Sequence, residues 1–528
     1  MSTVAPALDT APRSAEALDA CAPLSRREAS ALLASVFVVA VCGLTYELIV
    51  GTLSTYLFGS SVLHFSVTIG LFMTAMGIGS ALSRFVTRRL LRAFVWVELA
   101  VGVLGGASAL LLYAAYALTP VYHVAMVGLI LVIGALIGLE VPLVTRLLGG
   151  RTALKDALAG VLSFDYLGAL AASLLFPLVL LPTLGLVRTA CATGLLNLAV
   201  VAGVLAVFRP RLRAWHRLAT VTGVAALALA VGLVVATPLT GALEQRLYDA
   251  PVIHTAQSAA QRIVLTRHGD DLRLYLNGHL QFSSRDEYRY HELLVHPAMA
   301  ASRSRAEVLV LGGGDGLALR EVLKHPDVER VVLVDLDPAV TDLARTHPAL
   351  STLNGGAFDD PRVEVVHADA FGYVREATAR FGVVLIYLPD PSSEDLAKLY
   401  STTFYRWVAD RLAVGGTLAA QATSPYFARE AFWTVAATLD EAGLRTVPYH
   451  AYVPSFGDWG FVLATPHPLD EAVLDAPVPD VPLRFLDAAV WRAARAFGAD
   501  IDRVEVRPST LDRPRVLDAY RANWQRWN

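Results

Sequence analysis

Three cysteines in 528 residues, Cys21, Cys42 and Cys191, are too few for a disulfide framework. None follows Cys191, so the later part of the chain has no cysteine metal site. Charge is also scarce, at 17% Asp, Glu, Lys and Arg against 55% hydrophobic residues, with a mean hydropathy of +0.50. The net charge of −3 lacks the basic excess that a nucleic-acid partner requires. The scarcity is uneven. From about Ser30 to Thr240 charges are few and clustered, whereas from Tyr248 onward they are frequent and dispersed. A chain too long for one compact domain therefore divides into a membrane-type part, about 28–240, and a soluble part. Residues 1–27, alanine-rich and polar, are expected to be disordered.

The first apolar run, about 30–54, is too long for a cleaved signal and long enough to span a bilayer. Further spans fit at 61–83, 93–114, 121–143, 160–182, 185–208 and 217–238, seven in all. Arginines mark alternate ends. Arg26 and Arg27 precede the first span, and Arg84, Arg88, Arg89 and Arg92 separate the second from the third. Arg146 and Arg151 follow the fourth, and Arg209, Arg211 and Arg213 follow the sixth. The positive-inside rule then expects a cytoplasmic N-terminus. An odd number of spans would place the soluble part on the opposite side, and the sequence leaves that side open. Four acids fall within apolar runs: Glu47, Glu98, Glu140 and Asp165. A carboxylate there should face the interior of the bundle or be protonated. It serves either a polar pathway or helix packing. Gly77, Gly79 and Ser80, and Gly102, Gly105 and Gly106, suit close helix contact.

In the soluble part, Val308–Gly316 reads VLVLGGGDG. An apolar strand enters three glycines that let the backbone turn and approach a ligand. A helix over 317–324 and a second strand, RVVLVDLD, follow. Asp335 lies 19 residues past Gly316, near the spacing at which an acid holds a ribose hydroxyl pair. The pattern predicts a nucleoside-binding, Rossmann-like doubly wound α/β domain. Its strands are expected at 307–311, 330–336, 363–368, 383–388 and 416–422. A small β element over 250–290 precedes it, with a hairpin around the GDD turn of IVLTRHGDDLRLYLNG. Asp315, Asp335, Asp369 and Asp390 then fall at strand carboxyl ends, where open α/β sheets bind ligands. Gln261, Tyr290 and His291 precede the sheet and can fold over its edge. Several carboxylates around one crevice suit a sulfonium or an amine. No metal site is expected. The tail, 466–528, carries a candidate amphipathic helix at 482–497 and a helix-like C-terminus.

From about Gln261 to Phe461 the chain resembles the spermidine synthase family of polyamine aminopropyltransferases. The matching segments include QRIVLTRHGDDLRLYLNGHLQFSSRDEYRYHELLVHPA, VLVLGGGDG, VVLVDLDP, HADAFGYV, LPDP and VPSFGDWGF. The apolar front end resembles the membrane domains fused to some bacterial members. The resemblance implies transfer of an aminopropyl group from decarboxylated S-adenosylmethionine, a co-substrate, to putrescine or another small amine. The products are spermidine and 5′-methylthioadenosine, and no prosthetic group is needed. It also implies roles. Gln261 lies near the nucleoside, and Tyr290 with His291 lines the polyamine path. Asp315 holds the aminopropyl amine, and Asp335 holds the ribose. Asp369 with Ala370 contacts adenine. Relatives are often homo-oligomers.

One position departs. The family's motif has an aspartate, two residues, a second aspartate and a proline, and the first aspartate is the general base. Here the segment reads Tyr387-Leu388-Pro389-Asp390-Pro391. A phenol with an ordinary pKa of about 10 is a poor base near neutral pH. Either Asp390 takes the proton at reduced rate, or the amine differs, or the chain binds without efficient turnover. The last case would make it a membrane-coupled sensor. Two other readings are a transporter with a regulatory domain and a methyltransferase. The methyltransferase does not explain the Tyr290–His291 segment. Gly382 also stands where many relatives carry an acid.

Overall fold

The computed structural model describes residues 24–58, 62–119, 121–149, 153–212, 215–258, 260–468 and 480–527. The expected disordered tail lies outside them up to residue 23. Two compact units result, a helical one within the first 247 residues and an α/β one from Tyr248 to the C-terminus.

Among the described residues the helical unit has six helices long and apolar enough to cross a membrane: Arg26–Ser54, Ser66–Phe85, Leu90–Leu118, Tyr122–Leu148, Leu154–Val207 and Trp215–Ala236. The fifth is 54 residues long. At 1.5 Å per residue it would extend about 80 Å, far beyond a hydrocarbon core of about 30 Å. It is not one rod. A π-turn occupies Phe176–Leu180, and Gly185 sits at φ 70°, ψ 177°, a conformation that breaks a helix. Divided at Gly185, it corresponds to the fifth and sixth spans of the sequence reading. The arginine-rich ends associate in pairs. Arg146 donates to the carbonyls of Ser83 and Val86 (2.9 Å each), and Arg211 pairs with Glu28 at 2.7 Å. Helices also approach at glycine: a Cβ on Gly79 would meet the Ala135 backbone, and one on Gly194 would lie 2.7 Å from the Gly102 carbonyl oxygen. Gly77, by contrast, faces open space.

The α/β unit opens with an antiparallel four-stranded sheet: β1 (Val252–Gln257), β2 (Arg262–His268), β3 (Asp271–Leu276) and β4 (His279–Ser283). The β2–β3 connection is the expected hairpin, with Gly269 at φ 59°. Ile263, Leu265, Leu272, Leu274 and Phe282 form the sheet's apolar face. They pack on Leu317, Val340 and Leu343 of the next domain.

That domain is a seven-stranded sheet of β5 (Glu307–Gly312), β6 (Arg330–Asp335), β7 (Val363–His367), β8 (Phe381–Tyr387), β9 (Leu412–Gln421), β10 (Arg445–Val453) and β11 (Gly457–Thr465). The spatial order is β10-β11-β9-β8-β5-β6-β7, parallel from β7 to β9, with β11 antiparallel to β9 and β10. The sequence reading placed the five parallel strands but no element at β10 or β11. Period-2 alternation assigns side chains to two cores. Leu309, Leu311, Val332, Val334, Val384 and Ile386 face one layer of helices, while Val308, Val310, Val331, Leu333, Val383 and Leu385 face the other. Both faces are covered, which is why these strands read as continuous apolar runs. The tail forms shorter helices than its periodicity suggests, Ala488–Ala494 and Arg515–Trp524.

Candidate active site

The β5 turn is shaped by what closes on it. Gly312, at φ 83°, is in register with Tyr387 of β8, and a Cβ there would collide with the Tyr387 carbonyl oxygen. A Cβ on Gly313 would lie 2.7 Å from the Tyr387 ring, and one on Gly314 2.7 Å from Asp335 Oδ2. Glycine is required because two site side chains occupy the space a β-carbon would take. The bare Gly314 N–H then donates to Asp335 Oδ2 at 2.9 Å, and the Asp337 N–H donates to Oδ1 at 2.9 Å. A carboxylate offers about four acceptor positions, so each Asp335 oxygen keeps one for a diol. Burial pushes the Asp335 carboxyl above its usual range, against those two backbone bonds.

Beside it lies a buried cluster. Asp315 Oδ1 accepts the Leu317 N–H at 2.8 Å, and Oδ2 accepts the Tyr387 hydroxyl at 2.9 Å. The Tyr387 oxygen also lies 3.1 Å from His291 Nε2. His291 Nδ1 faces two acceptors of Glu287, the carbonyl at 2.7 Å and Oε2 at 2.9 Å. The Tyr387 hydroxyl donates to Asp315, and both partners of His291 Nδ1 are acceptors, which places a hydrogen on Nδ1. Arg320 grips Glu287 with two nitrogens, at 2.9 and 2.8 Å. Burial would raise the Glu287 carboxyl, but the His291 and Arg320 bonds more than offset it and hold it below its usual range. Burial pushes Asp315 upward, opposed by His291, the Leu317 N–H and Tyr387. Burial, with Asp315 nearby, lifts the Tyr387 phenol well above its ordinary value, so it stays protonated at neutral pH. Tyr290 packs edge-on to His291 (ring centroids 5.2 Å) and against Tyr387 (5.3 Å).

Asp390 forms a second acidic centre. Its Oδ1 accepts from Gln421 at 3.2 Å and its Oδ2 from the Thr423 hydroxyl at 3.0 Å. Tyr520, from the C-terminal helix, lies close enough to interact with it. Burial outweighs these contacts and pushes the carboxyl up to about 6. Thr423 is fully buried at φ 62°, a left-handed conformation that is costly for a β-branched residue. That backbone directs its hydroxyl at Asp390.

The remaining expected residues lie around this centre with other partners. Gln261 donates to Asp337, not Asp335, at 3.0 Å. Asp369 caps the Ala370–Glu376 helix through the Phe371 N–H and pairs with Lys398 at 2.8 Å. Ala370 is buried. A Cβ at Gly382 would collide with the Ser304 carbonyl, so no acid fits there. Glu287, Arg320, Gln421, Thr423 and Tyr520 were missed in the sequence. Glu287 sits within the quoted DEYRYHE segment, four residues before His291, which was the available signal.

Comparison with known proteins follows the same outline. Residues 287–472 match the spermine/spermidine synthase domain. Polyamine aminopropyltransferase 1 of Ralstonia nicotianae is 49% identical over 516 residues, covering 96% of this chain and 98% of its own. Polyamine aminopropyltransferase 1 of Streptomyces coelicolor is 46% identical over 507 residues, covering 94% of each. A crystal structure of spermidine synthase in complex with the transition state analogue AdoDATO is 29% identical, with a TM-score of 0.43. It covers 47% of this chain and 85% of that one. The α/β unit is thus a Rossmann-like domain of the spermine/spermidine synthase class. The chain as a whole, helical unit included, belongs to the polyamine aminopropyltransferase family.

Proposed function

We propose that the chain transfers the aminopropyl group of decarboxylated S-adenosylmethionine to putrescine, releasing spermidine and 5′-methylthioadenosine. Its helical unit holds it in a membrane. The observation that carries the reading is the set of three carboxylates, Asp315 buried and Asp335 and Asp390 half-buried, at the ends of β5, β6 and β8. Asp335 takes the ribose diol on its two remaining acceptor positions. Asp315 holds the aminopropyl ammonium, sharing Oδ2 with the Tyr387 hydroxyl. The acceptor amine sits beside Asp390. With a carboxyl near 6, Asp390 is mostly ionised at neutral pH yet basic enough to take a proton.

Asp390 takes a proton from the acceptor ammonium, and the lone pair so freed attacks the carbon next to the sulfonium. The C–N bond forms as the C–S bond breaks, and the pair left on sulfur gives a neutral thioether. The new secondary amine leaves as an ammonium. Tyr387 does not act as the base, because its proton is held by burial and directed at Asp315. It orients the donor-side carboxylate, and His291 and Glu287 fix it from behind.

The test is incubation of the full-length protein with decarboxylated S-adenosylmethionine and a panel of diamines, read by mass spectrometry. Equimolar methylthioadenosine and spermidine, with putrescine preferred, are expected. Formation of S-adenosylhomocysteine from S-adenosylmethionine with a methylated amine, and no methylthioadenosine, would overturn the reading.

A further inference from the structure

We propose that Glu98 and Glu140, with Tyr46 and Asn197, form a binding site for a small monovalent cation inside the helical unit. The four residues come from four different helices, Arg26–Phe58, Leu90–Leu118, Tyr122–Leu148 and Leu181–Val207. They are 0%, 1%, 2% and 0% exposed in the order Tyr46, Glu98, Glu140, Asn197. Most of their side-chain polar atoms lack the partner a buried group should have. Both Glu98 oxygens, Glu140 Oε1, the Tyr46 hydroxyl and both polar atoms of Asn197 make no hydrogen bond of ordinary geometry. Asn197 still lies close enough to Glu98 to interact with it.

The surroundings supply no counter-charge. Glu140 lies within electrostatic range of Glu98 and Asp165, and Tyr46 within range of Cys42, Glu98 and Cys191. Each of these is neutral or acidic. Among the described residues no Lys, Arg or His bonds either glutamate. Two acids this buried require neutralisation, and the described residues provide oxygens without a bonded positive charge.

The donor set identifies the class. Carboxylate, amide and phenol oxygens are hard ligands. The space is tight: a Cβ on Gly105 would lie 2.5 Å from the Tyr46 ring. That packing leaves no space for a polyamine beside Tyr46. Mg²⁺ keeps several waters of an octahedral shell, and side chains only 0–2% exposed suit an ion that sheds its water more readily. Sodium and the proton share the remaining chemistry, which is neutralisation of a buried carboxylate.

The experiment uses full-length protein in detergent micelles. Binding of ²²Na⁺ is measured from about pH 6 to 9 against a choline background, with proton release recorded in parallel. About one Na⁺ per chain, displacing protons, is expected. Binding should weaken at least tenfold in Glu98→Gln and Glu140→Gln. Asn197→Ala removes a neutral ligand only, and should weaken Na⁺ binding while keeping both acids. If Na⁺ does not bind but the wild type exchanges a proton that both Gln variants have lost, the proton is the occupant. Identical Na⁺ binding and identical proton exchange in wild type and all three variants would overturn the site. Elution volume and aminopropyl transfer report folding of the variants. Because the readout is ion binding, its failure is separable from failure of the proposed transfer reaction.

Discussion

The Tyr387 hydroxyl donates to Asp315 Oδ2 at 2.9 Å, so a phenol bridges two strand ends of the crevice. The resemblance to the family expects its general base at position 387. In this chain the position holds a donor whose other face meets His291. Tyr387→Asp places an acid there and frees Asp315 Oδ2. Aminopropyl transfer is expected to rise about tenfold, the low end of what a positioned base contributes. An unchanged rate in a folded variant would show that position 387 lies away from the reacting amine.

Asp315→Asn removes the charge proposed to hold the aminopropyl ammonium. Affinity for decarboxylated S-adenosylmethionine should fall by about tenfold or more, the scale of one charge-assisted hydrogen bond. Methylthioadenosine lacks that amine and should bind nearly as before. Calorimetry with the two ligands separates the outcomes, since equal losses would place Asp315 in the fold and not in donor recognition.

Asp390→Asn should lower kcat by about a hundredfold or more at neutral pH. The wild-type rate should rise with pH through about 6, because the raised carboxyl becomes a base only above that value. The asparagine variant should show no such limb. A limb near pH 6 that persists in Asp390→Asn belongs to another group.

Tyr520→Phe tests the reach of the C-terminal helix. The Tyr520 hydroxyl opposes the effect of burial on Asp390, so its removal should raise that carboxyl further. The acid limb of the rate profile then moves to higher pH, with methylthioadenosine affinity retained. A profile superimposable on wild type would mean the helix Arg515–Trp524 supports the domain without touching the chemistry.

Gly312→Ala puts a β-carbon at a positive φ and into the Tyr387 carbonyl. The backbone term alone is about 1–3 kcal/mol. The α/β unit should melt several degrees lower, and nucleoside binding should be lost with it. Wild-type melting would mean that β8 moves aside freely, against its register with β5.

Much of this was legible in one dimension. Unbroken apolar runs betrayed strands buried on both faces, and the glycines of VLVLGGGDG marked the turn. Asp335 fell at the end of the second strand, where the Gly314 N–H meets it. Strands β10 and β11 were not legible, because Tyr449, Gly460 and Phe461 pair with partners set by the sheet and not by local periodicity. The short helix Ala488–Ala494 was overestimated for the same reason: Trp491, buried against Tyr449, fixes its extent.

The sequence by itself determined where charge is excluded, which runs can cross a bilayer, and which acids stand at strand ends. These follow from composition and spacing, which are properties of the chain alone. Tertiary structure decided the partners. Only folding brings Tyr387 onto Asp315 from 72 residues away, hands Gln261 to Asp337, and delivers Tyr520 to Asp390. It also gathers Glu98 and Glu140 with no Lys, Arg or His bonded to either among the described residues. Hydrogen bonds and charge pairs act over a few ångströms, and distance along the chain says little about which groups come that close.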